Sequence, residues 1–310
     1  MPDAPAALSS PPSRGGEAAP ETTIRTRHRL EYLALRAAAG LLRALPLEAG
    51  VWLAGQIGRA IGPRLKRHRR AERQLSDLIP AYDKAARRRL LAAMWRHLGE
   101  TFAESLQLDR LAAAPDRIIL DASCRDILAR TIAEGGVIAC AHLGNWEAAT
   151  IPLAAAGARH AGVYRRLANP LSEAYFLRVR APYFVSGLFP KGQSAARALM
   201  RQSRDGGSVG LMADLRERDG VRVPFFGRLA PTTPMPAMLA RQFARPLFAV
   251  ALIRTSRCRF AMQAVEIEVP RSGDRVEDVR AATSAVQAAF EIWIRRWPEQ
   301  WMWAHRRFEN

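Results

Sequence analysis

Short apolar runs alternate with stretches of helical spacing along most of the chain after residue 117. Runs of about four to eight apolar residues predict strands, and apolar positions three or four apart predict helices. Strands are expected at 118–120, 137–141, 161–164, 208–213, 246–253 and 260–269, and helices at 126–133, 195–202 and 276–297. This alternation indicates an α/β sandwich in which helices flank a sheet.

The N-terminal third of the chain has helical rather than strand periodicity. Residues 30–45 predict a helix that Pro46 ends, and a second apolar stretch covers 49–61. Apolar positions within 84–108 keep helical spacing, so this element should cover one face of the core. Residues 1–23 are rich in Ala, Pro, Ser and Gly without hydrophobic periodicity, and they predict a disordered tail.

The N-terminal helices have the composition of a membrane-surface element. Arg36 and Arg43 interrupt the apolar residues, and no uncharged run reaches the roughly 18 residues of a membrane span. We therefore expect amphipathic helices in the membrane interface, followed by basic residues that face lipid phosphates, namely Arg64, Lys66, Arg67, Arg69 and Arg70. An ordinary helical hairpin with a solvated basic end is the alternative. The predicted organisation is a tail (1–23), a membrane-associated helical region (24–70) and an α/β domain (71–310).

The charge balance narrows the range of partners. Lys and Arg number 47 against 29 Asp and Glu, a formal net charge of +18, which favours polyanionic partners. Phosphorylated lipid, an acidic carrier protein and nucleic acid all qualify, although no recognised nucleic-acid-binding motif is present. The 3 cysteines are odd in number and widely spaced, so they indicate neither a disulfide framework nor a thiolate metal site.

The strongest candidate for chemistry is a histidine at the end of an apolar strand. The run 136–141 stops at His142, and Glu147 follows five positions later. On a regular helix this offset would place the two side chains about 140° apart, so they converge only if 143–145 form a turn. Glu147 would then lie in the first turn of the next helix, where its carboxylate can orient the imidazole as a general base. A purely structural histidine is the alternative.

Several motifs carry a family resemblance. The stretch 142–147, His-Leu-Gly-Asn-Trp-Glu, resembles the His-x4-Asp/Glu motif of glycerolipid acyltransferases and, more closely, the Gly-Asn-Trp-Glu form common in lipid A late acyltransferases. Further segments resemble that family in the same order: 163–165, Asn169-Pro170, the strand ending at Asp214, 223–227 and 298–308. The resemblance covers about 30–308 and implies a glycerolipid acyltransferase-like mixed sheet flanked by helices.

Four more residues are candidates for substrate binding or for stabilising an oxyanion: Asn145, Arg165, Arg180 and Asp214. Arg165, Arg166, Arg178 and Arg180 are close enough in sequence to converge near His142, and guanidinium groups suit phosphate. The resemblance implies that the positions of Arg180 and Asp214 are tied to activity. A surface ion pair for each arginine, and a helix cap or ion pair for Asp214, are the alternatives.

Two further segments have two interpretations each. Residues 225–227 and 232–234 should form a loop beside an acyl-binding region, and core packing of the two phenylalanines is the alternative. Trp301 and Trp303 either pack the closing helix or sit at the membrane interface.

Together with the candidate base, the resemblance implies an acyltransferase that moves a fatty acyl chain from acyl carrier protein to a hydroxyl of a lipid A precursor. Glu147 orients His142, His142 takes the hydroxyl proton, and no metal, cofactor or covalent enzyme intermediate is required. Its expected location is the cytoplasmic face of the anionic bacterial inner membrane, peripheral or singly anchored, without nucleic acid as a partner. Alternatives are acylation of a phospholipid, ornithine lipid or glycolipid, and a non-enzymatic basic membrane-binding protein.

Overall fold

A computed structural model of the protein describes residues 24–308, and the predicted tail (1–23) lies outside them. Helices precede the sheet and then alternate with its strands, as the sequence pattern predicts. The longer helices are α1 (Thr26–Ala44), α2 (Leu47–Ile61), α3 (His68–Leu78), α4 (Lys84–Ser105), α5 (Leu108–Ala112), α6 (Ala122–Glu134), α7 (Ile151–Ala155), α8 (Pro170–Arg180), α9 (Gln193–Arg204), α10 (Met235–Phe243) and α11 (Arg275–Arg296).

Seven strands form one mixed sheet in the order β1-β9-β8-β2-β5-β3-β4. All neighbours pair in parallel except β8 and β9, which are antiparallel. The predicted mixed sheet flanked by helices is therefore confirmed. The strands are β1 (Ile118–Ile119), β2 (Val137–Gly144), β3 (His160–Tyr164), β4 (Leu188–Pro190), β5 (Ser208–Met212), β8 (Leu247–Ser256) and β9 (Arg259–Ile267).

The sheet separates two apolar cores, because successive side chains of a strand point to opposite faces. On β2, Ala139 and Ala141 belong to the core under α4, α10 and α11. Ile138 belongs to the other core, which includes residues of α1, α2, α6 and α7. Cys140 and His142 alternate along the strand with Ala139 and Ala141, so they lie on the same face as Ile138. His142 therefore faces the side of the sheet that α6 and α7 cover.

Helix α2 packs directly on α4. A Cβ added at Gly58 would lie 2.4 Å from the backbone oxygen of Trp95, so only glycine permits this approach. Helices α1 and α2 nevertheless leave apolar side chains exposed, among them Leu30 (63%), Leu33 (61%) and Trp52 (47%). Within residues 24–308, no helix combines the length and apolarity needed to cross a bilayer. The membrane-associated region and the domain boundary at residue 70 stay predictions, and that boundary falls inside α3.

Two parts of the fold differ from the sequence expectation. The charged stretch after Asp214 and the expected loop at Phe225–Gly227 form a separate hairpin of β6 (Arg216–Phe225) and β7 (Arg228–Thr232). Its many charged residues conceal the strand pattern, because such residues are depleted in strands. Trp301 and Trp303 are 1% and 0% exposed, and Trp301 packs against Phe225 and Phe226. The alternative in which these tryptophans sit at the membrane interface is therefore wrong.

Candidate active site

His142 and Asp214 form a hydrogen-bonded dyad at adjacent strand ends. Nδ1 of His142 lies 2.8 Å from Oδ1 of Asp214, and the backbone N–H of His142 donates to Oδ2 at 2.9 Å. Strands β2 and β5 pair in parallel with Cys140 opposite Met212, so residues 142 and 214 reach the same level of the sheet. Because Nδ1 is held by Asp214 and the ring lines a cavity, Nε2 is the nitrogen available to a substrate.

Asp214 is fully buried, and it keeps its charge through its partners. The indole Nε1 of Trp301 donates to Oδ2 at 2.9 Å, which adds a third hydrogen bond to the two from His142. Burial alone would raise the pKa of this carboxyl, but attraction to His142 and the hydrogen bonds from His142 and Trp301 hold the pKa well below its usual range. Asp214 is therefore the carboxylate that orients the imidazole, a role the sequence analysis gave to Glu147.

Glu147 forms an ion pair with Arg180 instead of contacting His142. The Nε and Nη2 atoms of Arg180 donate to the two carboxylate oxygens at 2.7 and 2.5 Å, a bidentate arrangement. Glu147 directly precedes a short 3-10 helix (Ala148–Thr150), close to the predicted helix start. Both side chains line the cavity beside His142. The predicted His142–Glu147 pairing is thus corrected, while Glu147 and Arg180 remain part of the site.

Two of the four arginines predicted to lie near His142 line the cavity, and the other two do not. Arg165 and Arg180 line the cavity. Arg166 instead pairs with Glu173 at 3.4 Å, and Arg178 donates to the hydroxyl of Tyr32 on α1 at 3.5 Å. The cavity therefore receives two of the four arginines that sequence spacing places nearby.

The turn after His142 has one allowed shape. Gly144 has φ +63°, and a Cβ there would lie 1.9 Å from the backbone oxygen of Leu252. The backbone N–H of Asn145 donates to that same oxygen at 2.7 Å. The Asn145 amide is fully buried, donating to Glu104 at 2.7 Å and accepting from the Ala148 N–H at 3.1 Å. Asn145 therefore holds the turn and does not line the cavity, and its predicted role in substrate binding stays a prediction.

A buried polar network supports this turn from below. Arg254 donates to Glu104 through Nη2 at 2.7 Å and to Nδ1 of His97 at 3.2 Å. Nε2 of His97 lies 3.0 Å from the backbone oxygen of Gly144, so it donates to the turn itself. Glu104 is 0% exposed and Arg254 8% by side chain, so this ion pair is removed from solvent.

Breaking this network is expected to destabilise the whole protein. Arg254→Met leaves the carboxylate of Glu104 buried without its cation, which costs about 3–5 kcal/mol of unfolding free energy. Arg280→Met is the matched control, because the Arg280–Glu277 pair is about half exposed and such pairs contribute about 0–1 kcal/mol. Urea unfolding measures both. Equal unfolding midpoints for the wild type and Arg254→Met would contradict the role given to Arg254.

His305 joins the site although the sequence gives it no role there. Its ring lies edge-on to that of His142, with centroids 4.9 Å apart, and Trp146 lies on His142 at 5.2 Å. Burial, and then repulsion from His142, lowers the pKa of His305 to about 4. His305 therefore stays neutral near pH 7 and restricts the imidazole of His142 by packing. The signal available in the sequence was the closing segment that resembles the acyltransferases.

Mild acid is expected to destabilise the protein. The pKa values of His97 and His305 are about 3 and about 4 in the folded protein, against an ordinary value of 6.5, with burial the main cause in both. Below pH 6.5 the unfolded chain binds protons that the folded protein does not, so each histidine removes up to about 1.4 kcal/mol of stability per pH unit. Urea unfolding at several pH values measures this slope. His97→Gln should flatten the slope by about that amount, and an unchanged slope would count against the assignment.

The site opens into a large apolar cavity of about 890 Å³. His142, Trp146, Glu147 and Arg180 line it and are partly exposed, which places them at its mouth. Thr233 and Pro234, predicted to lie beside an acyl-binding region, line it as well. Helix α6 and strands β2, β5, β8 and β9 contribute apolar lining residues, namely Ile127, Leu128, Ile138, Gly210, Val250 and Ala264. This volume and lining suit a long hydrocarbon chain.

The site thus combines a proton acceptor, His142, with an apolar cavity that suits a hydrocarbon chain. Among residues 24–308, no group of three or more His, Cys, Asp or Glu side chains is placed to hold a metal ion. No individual protein among those with curated functions matches the chain significantly. A family model described as bacterial lipid A biosynthesis acyltransferase matches residues 20–310, so the chain belongs to this family and is an acyltransferase.

Proposed function

We propose that the protein transfers a fatty acyl chain from acyl carrier protein to a hydroxyl of a lipid A precursor. The observation that carries the proposal is the His142–Asp214 dyad at the mouth of an apolar cavity. A hydroxyl needs a base to become a good nucleophile, and an acyl chain needs an apolar site of its length. The family match supports the lipid class of the acceptor.

In the proposed mechanism His142 acts first as base and then as acid. Nε2 accepts the proton of the acceptor hydroxyl while its oxygen attacks the thioester carbonyl carbon. The tetrahedral intermediate then expels the thiolate as the carbon–sulfur bond breaks, and the imidazolium returns the proton to sulfur. Asp214 stabilises the imidazolium between these steps, because its carboxylate accepts from Nδ1 at 2.8 Å.

Charge at the cavity mouth supports an anionic substrate. Arg180 lines the cavity, stays only 22% exposed by side chain and is held in place by Glu147. A guanidinium held in this way can stabilise the oxyanion of the intermediate or bind a phosphate of the acceptor. Arg165 lies on the same cavity and is exposed, so it suits a phosphate or an acidic residue of the carrier protein.

The N-terminal helices support a position at the membrane surface. Their exposed apolar side chains include Leu30, Leu33, Leu41, Trp52 and Ile57. A basic segment follows them at residues 64–70, which favours a surface of anionic lipid. We propose that the protein acts at the cytoplasmic face of the bacterial inner membrane, where a lipid acceptor and a soluble acidic carrier protein would meet.

A transfer assay tests the donor and the acceptor together. Purified protein is mixed with acyl carrier protein carrying labelled chains, and with a lipid A precursor, a phospholipid, an ornithine lipid or a glycolipid as acceptor. The proposal expects transfer to the lipid A precursor at least tenfold faster than to the other lipids. Transfer mainly to another lipid would replace the acceptor while keeping the mechanism. Transfer to none of them by folded protein would overturn the proposed function.

A further inference from the structure

Gly210 has no structural reason to be glycine. Four glycines lie within the described strands: Gly144, Gly162, Gly210 and Gly220. A Cβ on any of the other three would come within 2.3 Å of a neighbouring atom, whereas a Cβ on Gly210 would meet only the Ala161 oxygen at 3.9 Å. Its φ also lies outside the left-handed region. Glycine weakens a strand interior, and it often marks a place where a ligand approaches closely.

The empty space beside Gly210 belongs to the cavity. Gly210 lines it, and on the sheet it pairs with Ile138 of β2 and Gly162 of β3. Ile138, Cys140 and His142 line the same cavity at every second position of β2. A hydrocarbon chain that starts at His142 and follows β2 therefore passes Cys140 and reaches the level of Gly210.

One side of this passage is limited just beyond Gly210. The hydroxyl of Ser208, two residues earlier on β5, donates to the backbone oxygen of Thr131 at 3.0 Å and ties β5 to α6. Thr131 lines the cavity, and Ser208 is 1% exposed. These two residues limit the passage on the side of α6, whereas His160, opposite Ser208 on β3, still lines the cavity, so space continues beyond Gly210.

We propose that Gly210 sets the length of acyl chain the enzyme accepts, because its missing side chain keeps the passage open beyond Ile138. The inference rests on the proposed function of the cavity as the acyl site. Ile138 lies four positions before His142 on β2, a distance of about 13 Å along the strand. An extended hydrocarbon advances about 1.3 Å per carbon, given C–C bonds of about 1.5 Å, so about ten carbons fit before Gly210. Longer chains pass beside it.

Chain-length profiles of binding test the inference. Saturated fatty acids of 8 to 16 carbons displace a fluorescent fatty acid from wild type, Gly210→Ala and Gly210→Val. In the wild type each added carbon should strengthen binding about fourfold until the passage is full. In Gly210→Val the gain in affinity should stop two to four carbons earlier than in the wild type, while the 8-carbon acid binds with unchanged affinity. The profile of Gly210→Ala should lie between those of the wild type and Gly210→Val.

A variant of opposite effect and a matched control complete the test. Ile138→Ala enlarges the passage at the level of Gly210, so its profile should extend to longer chains. Ile132→Ala makes the same change at a side chain that is 44% exposed and outside the cavity, so its profile should match the wild type. Equal weakening of all chain lengths in Gly210→Val, or no change in its profile, would overturn the inference.

Transfer from acyl carrier protein distinguishes this inference from the proposed function. If the wild type transfers chains, the kcat/KM optimum of Gly210→Val should move to shorter donors by the same two to four carbons. An unmoved optimum would overturn the role of Gly210 and leave the acyltransferase mechanism intact. If the wild type binds fatty acids but transfers to no acceptor, the proposed function fails, and the binding profiles alone decide the role of Gly210.

Discussion

Replacing His142 by alanine is expected to lower the rate of acyl transfer about 10²- to 10⁴-fold, the usual contribution of a general base. The imidazole is the titratable ring that Asp214 orients at the cavity mouth, and alanine cannot accept the hydroxyl proton there. The measurement is single-turnover transfer from acyl carrier protein, which separates chemistry from binding. A rate within threefold of the wild type would show that another group is the base.

His305→Phe is the matched control for that experiment. Phenylalanine keeps an aromatic ring against His142, where the two histidine rings now lie with centroids 4.9 Å apart. Because His305 acts by packing and not by proton transfer, the rate should fall less than tenfold. A fall as large as that of His142→Ala would mean that His305 takes part in the chemistry.

Asp214→Asn is expected to reduce transfer about 10²- to 10⁴-fold without unfolding the protein. The backbone N–H of His142 and the indole N–H of Trp301 both donate to Oδ2, so the amide oxygen of asparagine must take that position. The amide nitrogen then faces Nδ1 and donates to it, which forces the proton of the neutral ring onto Nε2. That tautomer cannot accept the hydroxyl proton. Single-turnover rates and urea unfolding measure both parts of the prediction.

Glu147→Gln is the matched control for Asp214→Asn, because it also replaces a carboxylate of the site by a neutral amide. It leaves the His142–Asp214 dyad intact and weakens the bidentate pair with Arg180, so transfer should fall only about tenfold. A larger loss for Glu147→Gln than for Asp214→Asn would restore Glu147 as the carboxylate that orients the base.

The sequence was informative wherever a local pattern decides the structure. The apolar run ending at His142 is a strand that ends at the site, and the turn required by Gly144 lies where the five-residue offset to Glu147 demanded one. The helices over residues 30–45 and 276–297 and six of the seven sheet strands were also predictable. The short strand β4 (Leu188–Pro190) was not, because three residues carry no period.

The pairing of His142 with Asp214 could not be predicted from the sequence around His142. Asp214 is 72 residues away, and it meets His142 only because β2 and β5 are neighbours in register. The sequence does hold a partial signal, since both strands end at a polar residue and the carboxyl ends of parallel strands share one edge of a sheet. Glu147 was preferred because it is near in sequence. The Glu104–Arg254 pair and the space beside Gly210 could not be predicted for the same reason, because they also depend on residues that are far apart in the sequence.

The contact between Trp301 and Asp214 ties the chemistry to the completion of folding. The base, its carboxylate and the indole that holds this carboxylate come from residues 142, 214 and 301, which only the finished tertiary structure brings together. Without the closing segment Asp214 loses the hydrogen bond from the indole of Trp301 and keeps only its two bonds with His142. In the proposed mechanism, the complete set of base, carboxylate and indole is therefore present only in the fully assembled molecule.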